Sequence, residues 1–292
     1  MVLLAAASVA VAAGVGIGAV AGSLLTRYYH ATATKKRNRS SRSRSSYLES
    51  RAAAYRPGGQ TPSQLPSPNF GTKVEIFDPS KLRSCYHLMI STLTPRPIAL
   101  ISSRNPQTGI DNLAPFSYFG CVAHDPPMVA ISFSRKGNNT NNNLTQKDSL
   151  MNILQNNGQF VVNIISEWYL EAANHTSGNF PPNEDEFETS GLTKTNSCIV
   201  VDAPRVKEAA VVYECVLEHL VPVSNPQTGD PTTEIVLARV VRIHVDSEVL
   251  VEHYDPLKPA VDTIHKLKPI GRLGGNVYST IGETVDIPRP QV

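Results

Sequence analysis

Pro95-Arg96-Pro97-Ile98-Ala99-Leu100-Ile101-Ser102, followed by Asn112-Leu113-Ala114-Pro115-Phe116-Ser117-Tyr118-Phe119, is the stretch on which the fold turns. Its first half sets a short apolar run behind two prolines, the pattern of a strand with a defined start. Its second half carries Pro115, which cannot donate to a strand ladder, and reads as a loop presenting backbone amides. Outward from it, Met128–Phe133, Phe160–Ile165, Val211–Val223 and Ile235–Val245 are runs rich in Val and Ile, each read as a strand. In the last of these the apolar Ile235, Leu237, Val241, Ile243 and Val245 fall on odd numbers, with Arg239 breaking the series. The two long runs are separated by Asn225-Pro226-Gln227-Thr228-Gly229-Asp230, a hairpin loop in which Pro presets φ and Gly permits φ > 0. The same letters at Asn105–Gly109 predict the same turn, not an internal repeat.

Helical spacing is rarer. Thr145–Asn156 places Leu150, Ile153 and Leu154 on one face, with Thr145 as the expected cap and Asp148 three residues on. Glu167–Asn174 predicts a second helix. Strands dominate and do not alternate regularly with helices. This predicts a mainly β fold, an antiparallel barrel with capping helices, rather than a doubly wound sheet.

The net charge of +2 conceals an asymmetry. Residues 1–60 hold nine basic side chains and one acid, net +8, whereas the remaining 232 hold 18 and 24, net −6. An acidic body lacks the basic face that nucleic-acid binding needs, so no nucleic-acid partner is expected. Val2–Leu25 is uncharged over 24 residues, about 36 Å as a helix, against a hydrocarbon core of ~30 Å. Six basic residues in ten follow, Lys35 to Arg44. The expectation is an N-terminal transmembrane helix in a single-pass, membrane-anchored chain whose body faces the cytosol, at the mitochondrial outer membrane or endoplasmic reticulum. Gly14, Gly18 and Gly22 share a face on which two such helices could pack. The expected division is an anchor over 1–26, a basic, Ser/Pro-rich disordered linker over 27–68, and a barrel domain over 69–292. Cys85, Cys121, Cys198 and Cys215 show no CxxC spacing, and the last three lie in or beside apolar runs, the pattern of reduced, buried thiols.

The stretches Pro95–Ser102 and Asn112–Phe119 closely resemble the flavin reductase-like family. Further matches follow in that family's order: Asp125-Pro126-Pro127-Met128, Ser132-Phe133-Ser134, Lys147-Asp148-Ser149, Gly158-Gln159-Phe160-Val161-Val162-Asn163, Asp185-Glu186-Phe187-Glu188, Gly191-Leu192, Pro204 and Glu214-Cys215. No one piece is specific, but the ordered set is. The resemblance implies a Greek-key, FMN-binding split β-barrel that forms a homodimer, with FMN near the subunit interface and NAD(P)H as co-substrate.

FMN requires phosphate donors, a cover for its ring and polar groups at the ring edge. Ser117, Ser132 and Ser134 offer hydroxyls, and Arg135 and Lys147 offer charge. Lys147, Asp148 and Ser149 stand at the start of the expected helix, where free N–H groups favour an anion. Asn112, Ala114 and Pro115 belong to the expected amide-presenting loop, and Tyr118 and Phe119 suit packing on the ring. Arg96 is a further cofactor candidate. Gly271-Arg272-Leu273-Gly274-Gly275-Asn276-Val277-Tyr278 resembles the family's closing segment, which nominates Arg272 and Tyr278. His175 is a conceivable proton donor, but no residue is nominated as catalytic. The residues from 135 to 146 are longer and richer in Asn than the family's usual connection.

Other chemistries find little support. The eight histidines form no HxH or HxxxH pair, so no metal site is expected. No GxSxG elbow is present, against hydrolase chemistry. Gly14-Val15-Gly16-Ile17-Gly18 lacks the strand–turn–helix setting of a dinucleotide fingerprint. The leading expectation is an FMN-dependent oxidoreductase that reduces flavin with NAD(P)H. Its competitors are a membrane-tethered flavin-binding module without turnover and a flavin-dependent oxygenase of a small organic substrate.

Overall fold

The computed structural model describes residues 74–135, 148–287 and 289–290. Within the unit Ile76–Gly282, helix α1 (Tyr86–Thr92) leads into β1 (Arg96–Pro97), β2 (Ala99–Arg104), β3 (Asp111–Phe116), β4 (Phe119–His124) and β5 (Pro127–Ser134). Helix α2 (Ser149–Gln155) precedes β6 (Gln159–Ile164). An excursion follows, with α3 (Leu170–His175), α4 (Glu186–Ser190), β7 (Lys194–Thr195) and β8 (Arg205–Val206). The long hairpin of β9 (Val211–Ser224) and β10 (Pro231–Val245) returns the chain to the sheet, and β11 (Gly271–Arg272) and β12 (Tyr278–Ser279) come last.

Seven strands pair antiparallel in the order β3-β2-β6-β9-β10-β5-β4. The two end strands, β3 and β4, are joined by only Ser117 and Tyr118. Laid flat, they would stand roughly 29 Å apart at the usual strand spacing. Three peptide units from Phe116 to Phe119 reach at most about 11 Å. The sheet therefore curls into a barrel. Ser132 N–H donates to the Tyr118 carbonyl at 2.9 Å, extending the β4–β5 pairing into the corner, and the Phe116 ring of β3 meets the Phe133 ring of β5 at 4.6 Å across the closure.

Two cores share the barrel wall. Inside lie Ala99, Ile101, Ile131, Phe133, Phe160, Val162, Cys215, Val236 and Ala238, with Leu150 and Ile153 of α2 packed among them. Outside, Leu100, Leu113, Val161 and Val212 pack against Tyr169, Ala173, Phe187 and Val206 of the excursion. Alternate side chains of β2 and β6 therefore enter different cores, which is why β2 is buried through Ser103.

All five runs read as strands are strands, and the two Asn-Pro-Gln-Thr-Gly segments fold alike. In each, the Asn side chain accepts from the residue two ahead (2.9 Å to Gln107 N, 2.8 Å to Gln227 N), and Gly109 and Gly229 take φ of +72° and +76°. Other expectations are corrected. The segment read as a loop is largely strand β3, because an end strand has one unpaired side and tolerates Pro115. Helix α2 is capped by Asp148, not Thr145; Thr145 lies outside the described residues. The buried side of β10 carries the even-numbered Val236, Ala238 and Val240, and a register shift between Val240 and Arg242 ends that alternation. Cys121 is exposed rather than buried, and all four cysteines are free.

The membrane-anchored, single-pass placement is also corrected. Among the described residues no helix is long and apolar enough to cross a membrane; α1 and α2 have seven residues each, about 10 Å against the ~30 Å required. The run expected to span, 2–25, lies outside the described residues, as do the rest of the expected anchor and all of the expected linker. The functional reading therefore rests on the barrel.

Candidate functional site

Beside the barrel, β1, β11 and β12 form a small antiparallel sheet. Its register sets Arg96 opposite Arg272, and Arg272 opposite Tyr278. Opposed residues in such pairs project to the same face, so three residues nominated from sequence lie in one row. Gly271 makes the approach possible: a Cβ there would lie 2.7 Å from Pro95 Cβ. The Arg96 guanidinium donates to the carbonyls of Ile90 (2.7 Å) and Leu93 (2.7 Å) at the end of α1, and to Leu273 (2.8 Å). The Arg272 guanidinium lies 4.3 Å from the Tyr278 ring centroid. Tyr278 Oη donates to Asn174 Oδ1 at 2.6 Å, which ties the row to α3. His175 follows, exposed, with its ring 5.3 Å from Phe180.

The second group surrounds the β3–β4 corner, and β1 comes within 8 Å of β4, Cα to Cα. Ala114, Pro115, Ser117 and Phe119 are half-buried, and Tyr118 is 43% exposed. On β5, Val129, Ile131 and Phe133 enter the barrel, so the alternating Ser132 and Ser134 point outward. Among the described residues the hydroxyls of Ser117, Ser132 and Ser134 have no hydrogen-bond partner.

Several nominated residues make hydrogen bonds within the scaffold. Asn112 is 2% exposed, and its Oδ1 accepts from Ser149 Oγ at 2.9 Å, fixing the start of α2 to β3. The Asp148 carboxylate accepts from Leu150 N–H (3.0 Å) and Met151 N–H (3.1 Å). The helix start thus already has its anion. Arg135 is paired with the buried carboxylate of Glu234. Lys147 lies outside the described residues. Asn174 and Glu234 were not singled out from sequence. A residue 104 positions from Tyr278 leaves no local signal of their contact.

The buried thiols do not suit thiolate chemistry. Burial, with the nearby Glu214 charge, pushes the Cys198 thiol up to about 12 and raises that of Cys215. Among the described residues no group of three His, Cys, Asp or Glu could hold a metal ion. What the site offers is hydroxyls without partners, two guanidinium groups without a carboxylate, and an accessible aromatic ring. This donor set fits a flat, phosphorylated ligand.

A sequence model of the flavin reductase like domain matches residues 91–262. The chain belongs to the flavin reductase-like family. Its fold is that family's mainly β split barrel. This flavin reductase-like chain is 36% identical over 217 residues to the Bacillus subtilis protein YwrF, covering 74% of itself and 98% of that relative. Among solved structures it is similar to nitrilotriacetate monooxygenase component B from Bacillus cereus, with 34% identity and a TM-score of 0.64, covering 73% of this chain and 98% of that one. It is also similar to 2-nitrobenzoate 2-nitroreductase NbaA of Pseudomonas fluorescens, with 28% identity and a TM-score of 0.61 over 74% and 96% of the respective chains.

Proposed function

We propose that this flavin reductase-like chain is an FMN-dependent oxidoreductase that uses NAD(P)H as its reductant. The carrying observation is the outward row of Ser132 and Ser134 beside Ser117 and the exposed Tyr118, with hydroxyls unclaimed by the fold. Ser117 and Ser132 are half-buried and Ser134 is exposed, and all three hydroxyls are free to donate to a phosphate oxygen. On this reading Ser117, Ser132 and Ser134 hold the phosphate side, while Ala114, Pro115, Tyr118 and Phe119 face the ring. Lys147 adds charge. Arg272 and Tyr278 border the ring from the small sheet. Asn112, Asp148 and Ser149 hold α2 in place. Bound FMN supplies the hydride-accepting chemistry. The barrel orients the ring and excludes water from one of its faces.

The reading includes a domain beginning near Asn69 and a homodimer, for which the exposed Tyr118 and Val122 near the closure offer apolar surface. One similar structure is named as a monooxygenase component and the other as a nitroreductase, so no acceptor is carried over. The test is the visible spectrum of the purified full chain, followed by anaerobic addition of NADH or NADPH. A flavin spectrum that bleaches supports the proposal. Protein that binds no flavin and does not reduce added FMN overturns it, and a spectrum that persists leaves flavin binding without turnover. Sedimentation velocity tests the dimer.

A further inference from the structure

Arg96 and Arg272 stand directly opposite one another across an antiparallel pair, a placement in which like charges repel. Among the described residues neither guanidinium meets a carboxylate. The two cations are differently engaged. Arg96 is directed at three main-chain carbonyls, and its buried Nε–H is left without an acceptor. The Arg272 side chain makes no hydrogen bond among the described residues; its contact is the face of Tyr278 at 4.3 Å. Tyr278 is in turn held by Asn174. The scaffold thus fixes both ends of the row while leaving two positive charges uncompensated on one face.

We propose that this face binds an oxyanion of the co-reactant, with Arg272 in direct contact and Arg96 as a positioning residue that holds α1 and the Leu273 turn beside it. The shape of a guanidinium suits two oxygens of a phosphate or carboxylate at once. Stacking on Tyr278 holds its plane without using any of its N–H donors. Arg272 and Tyr278 are half-buried, so a bound anion is partly shielded from water and the charge interaction strengthens. The oxyanion has two possible sources, the phosphates of a nicotinamide nucleotide or the carboxylate of an organic acceptor. The identity of the co-reactant rests on the flavin oxidoreductase reading; the presence of an anion rests on the charge geometry.

Calorimetric titration of the full chain with inorganic pyrophosphate and, separately, with benzoate tests this. The wild type is expected to bind one of the two, pyrophosphate pointing to the nucleotide and benzoate to an acid acceptor. Arg272→Gln is expected to weaken that binding at least about tenfold, the scale of a lost charge-assisted hydrogen bond. Arg272→Lys should keep part of the affinity and so separates charge loss from misfolding. Arg242→Gln, an exposed arginine elsewhere on β10, should change nothing. If the wild type takes up neither anion, or Arg272→Gln binds as the wild type does, the proposal fails, whatever the flavin spectrum. A protein that binds no flavin and does not reduce added FMN, but whose anion binding still depends on Arg272, upholds the anion site and overturns the flavin reading.

Discussion

Glu214, on β9, is fully buried, and its carboxylate accepts from three consecutive backbone N–H groups: Ile199 (2.8 Å), Val200 (2.7 Å) and Val201 (3.0 Å). His244 Nε2 lies 2.5 Å from Oε1, the oxygen that also accepts from Ile199. Burial alone would raise this carboxyl, but the N–H donors and His244 outweigh burial and hold it below the ordinary range. A carboxylate depressed by folding contributes stability that is present above its unfolded pKa, about 4.3, and lost as pH falls through the folded value. Glu214→Gln removes the charge and turns an N–H group toward donors, so it should cost about 1–3 kcal/mol at neutral pH. Urea midpoints measured from pH 7 to pH 3 should fall less steeply for the variant; parallel curves would remove Glu214 from the acid transition. The sequence marked Glu214 only as part of a family pattern. Likewise it marked Asn112 and Asp148 as site residues; Asn112 is buried against Ser149, and the exposed Asp148 caps α2. A motif identifies which residues matter, but the direction of a side chain is decided by packing.

Helix α2 shows the same division at the scale of an element. Seven residues are too few for a stable isolated helix. It persists because Asp148 caps it, Leu150 and Ile153 enter the barrel, and two polar ties hold its buried polar side, Ser149 to Asn112 at 2.9 Å and Asn105 Nδ2 to Asn152 Oδ1 at 3.3 Å. It ends at Asn157 and Gly158, both with positive φ, and a Cβ on Gly158 would lie 2.9 Å from Leu217 Cβ. Asp148→Ala should cost about 1 kcal/mol and raise hydrogen exchange of the α2 amides before those of β6. Unchanged α2 exchange would show that the cap is dispensable. The Asn-Pro-Gln-Thr-Gly turns were legible because every bond in them is local. The start of α2 was not, since Thr145 and Asp148 are both acceptable caps by composition and contacts with β3 decide between them. Strand β3 was missed for a similar reason: whether Pro115 is tolerated depends on which strand lies at the end of the sheet.

At the scale of the whole molecule, the barrel was legible from its strand runs, but the second core was not. The polar joint between barrel and excursion leaves no periodic signal. Asp111, 2% exposed at the start of β3, accepts from Arg104 Nε at 2.9 Å and from Lys194 Nζ at 2.8 Å. Arg104 reaches on to Asp202 at 2.7 Å and to Asn196 Oδ1 at 3.1 Å, and Lys194 also pairs with Asp185. The Asp111 hydrogen bond raises the Arg104 pKa; for Lys194, burial lowers it but the two carboxylates prevail. This buried carboxylate, with Arg104 beside it, therefore ties the excursion to the barrel at Lys194, Asn196 and Asp202. Removing it leaves Arg104 with Asp202 and Lys194 with Asp185 as their remaining carboxylates, so the cost falls below the ~3–5 kcal/mol of a fully stranded buried charge. Because the interior core is independent of that joint, Asp111→Ala should loosen the excursion first. Limited proteolysis should cut between Asp185 and Arg205 while the barrel fragments stay folded. Ile153→Ala, which empties the interior instead, should cost about 2–5 kcal/mol without creating that cleavage. If both variants give the same cleavage pattern, the two cores unfold as one and the joint has no separate role.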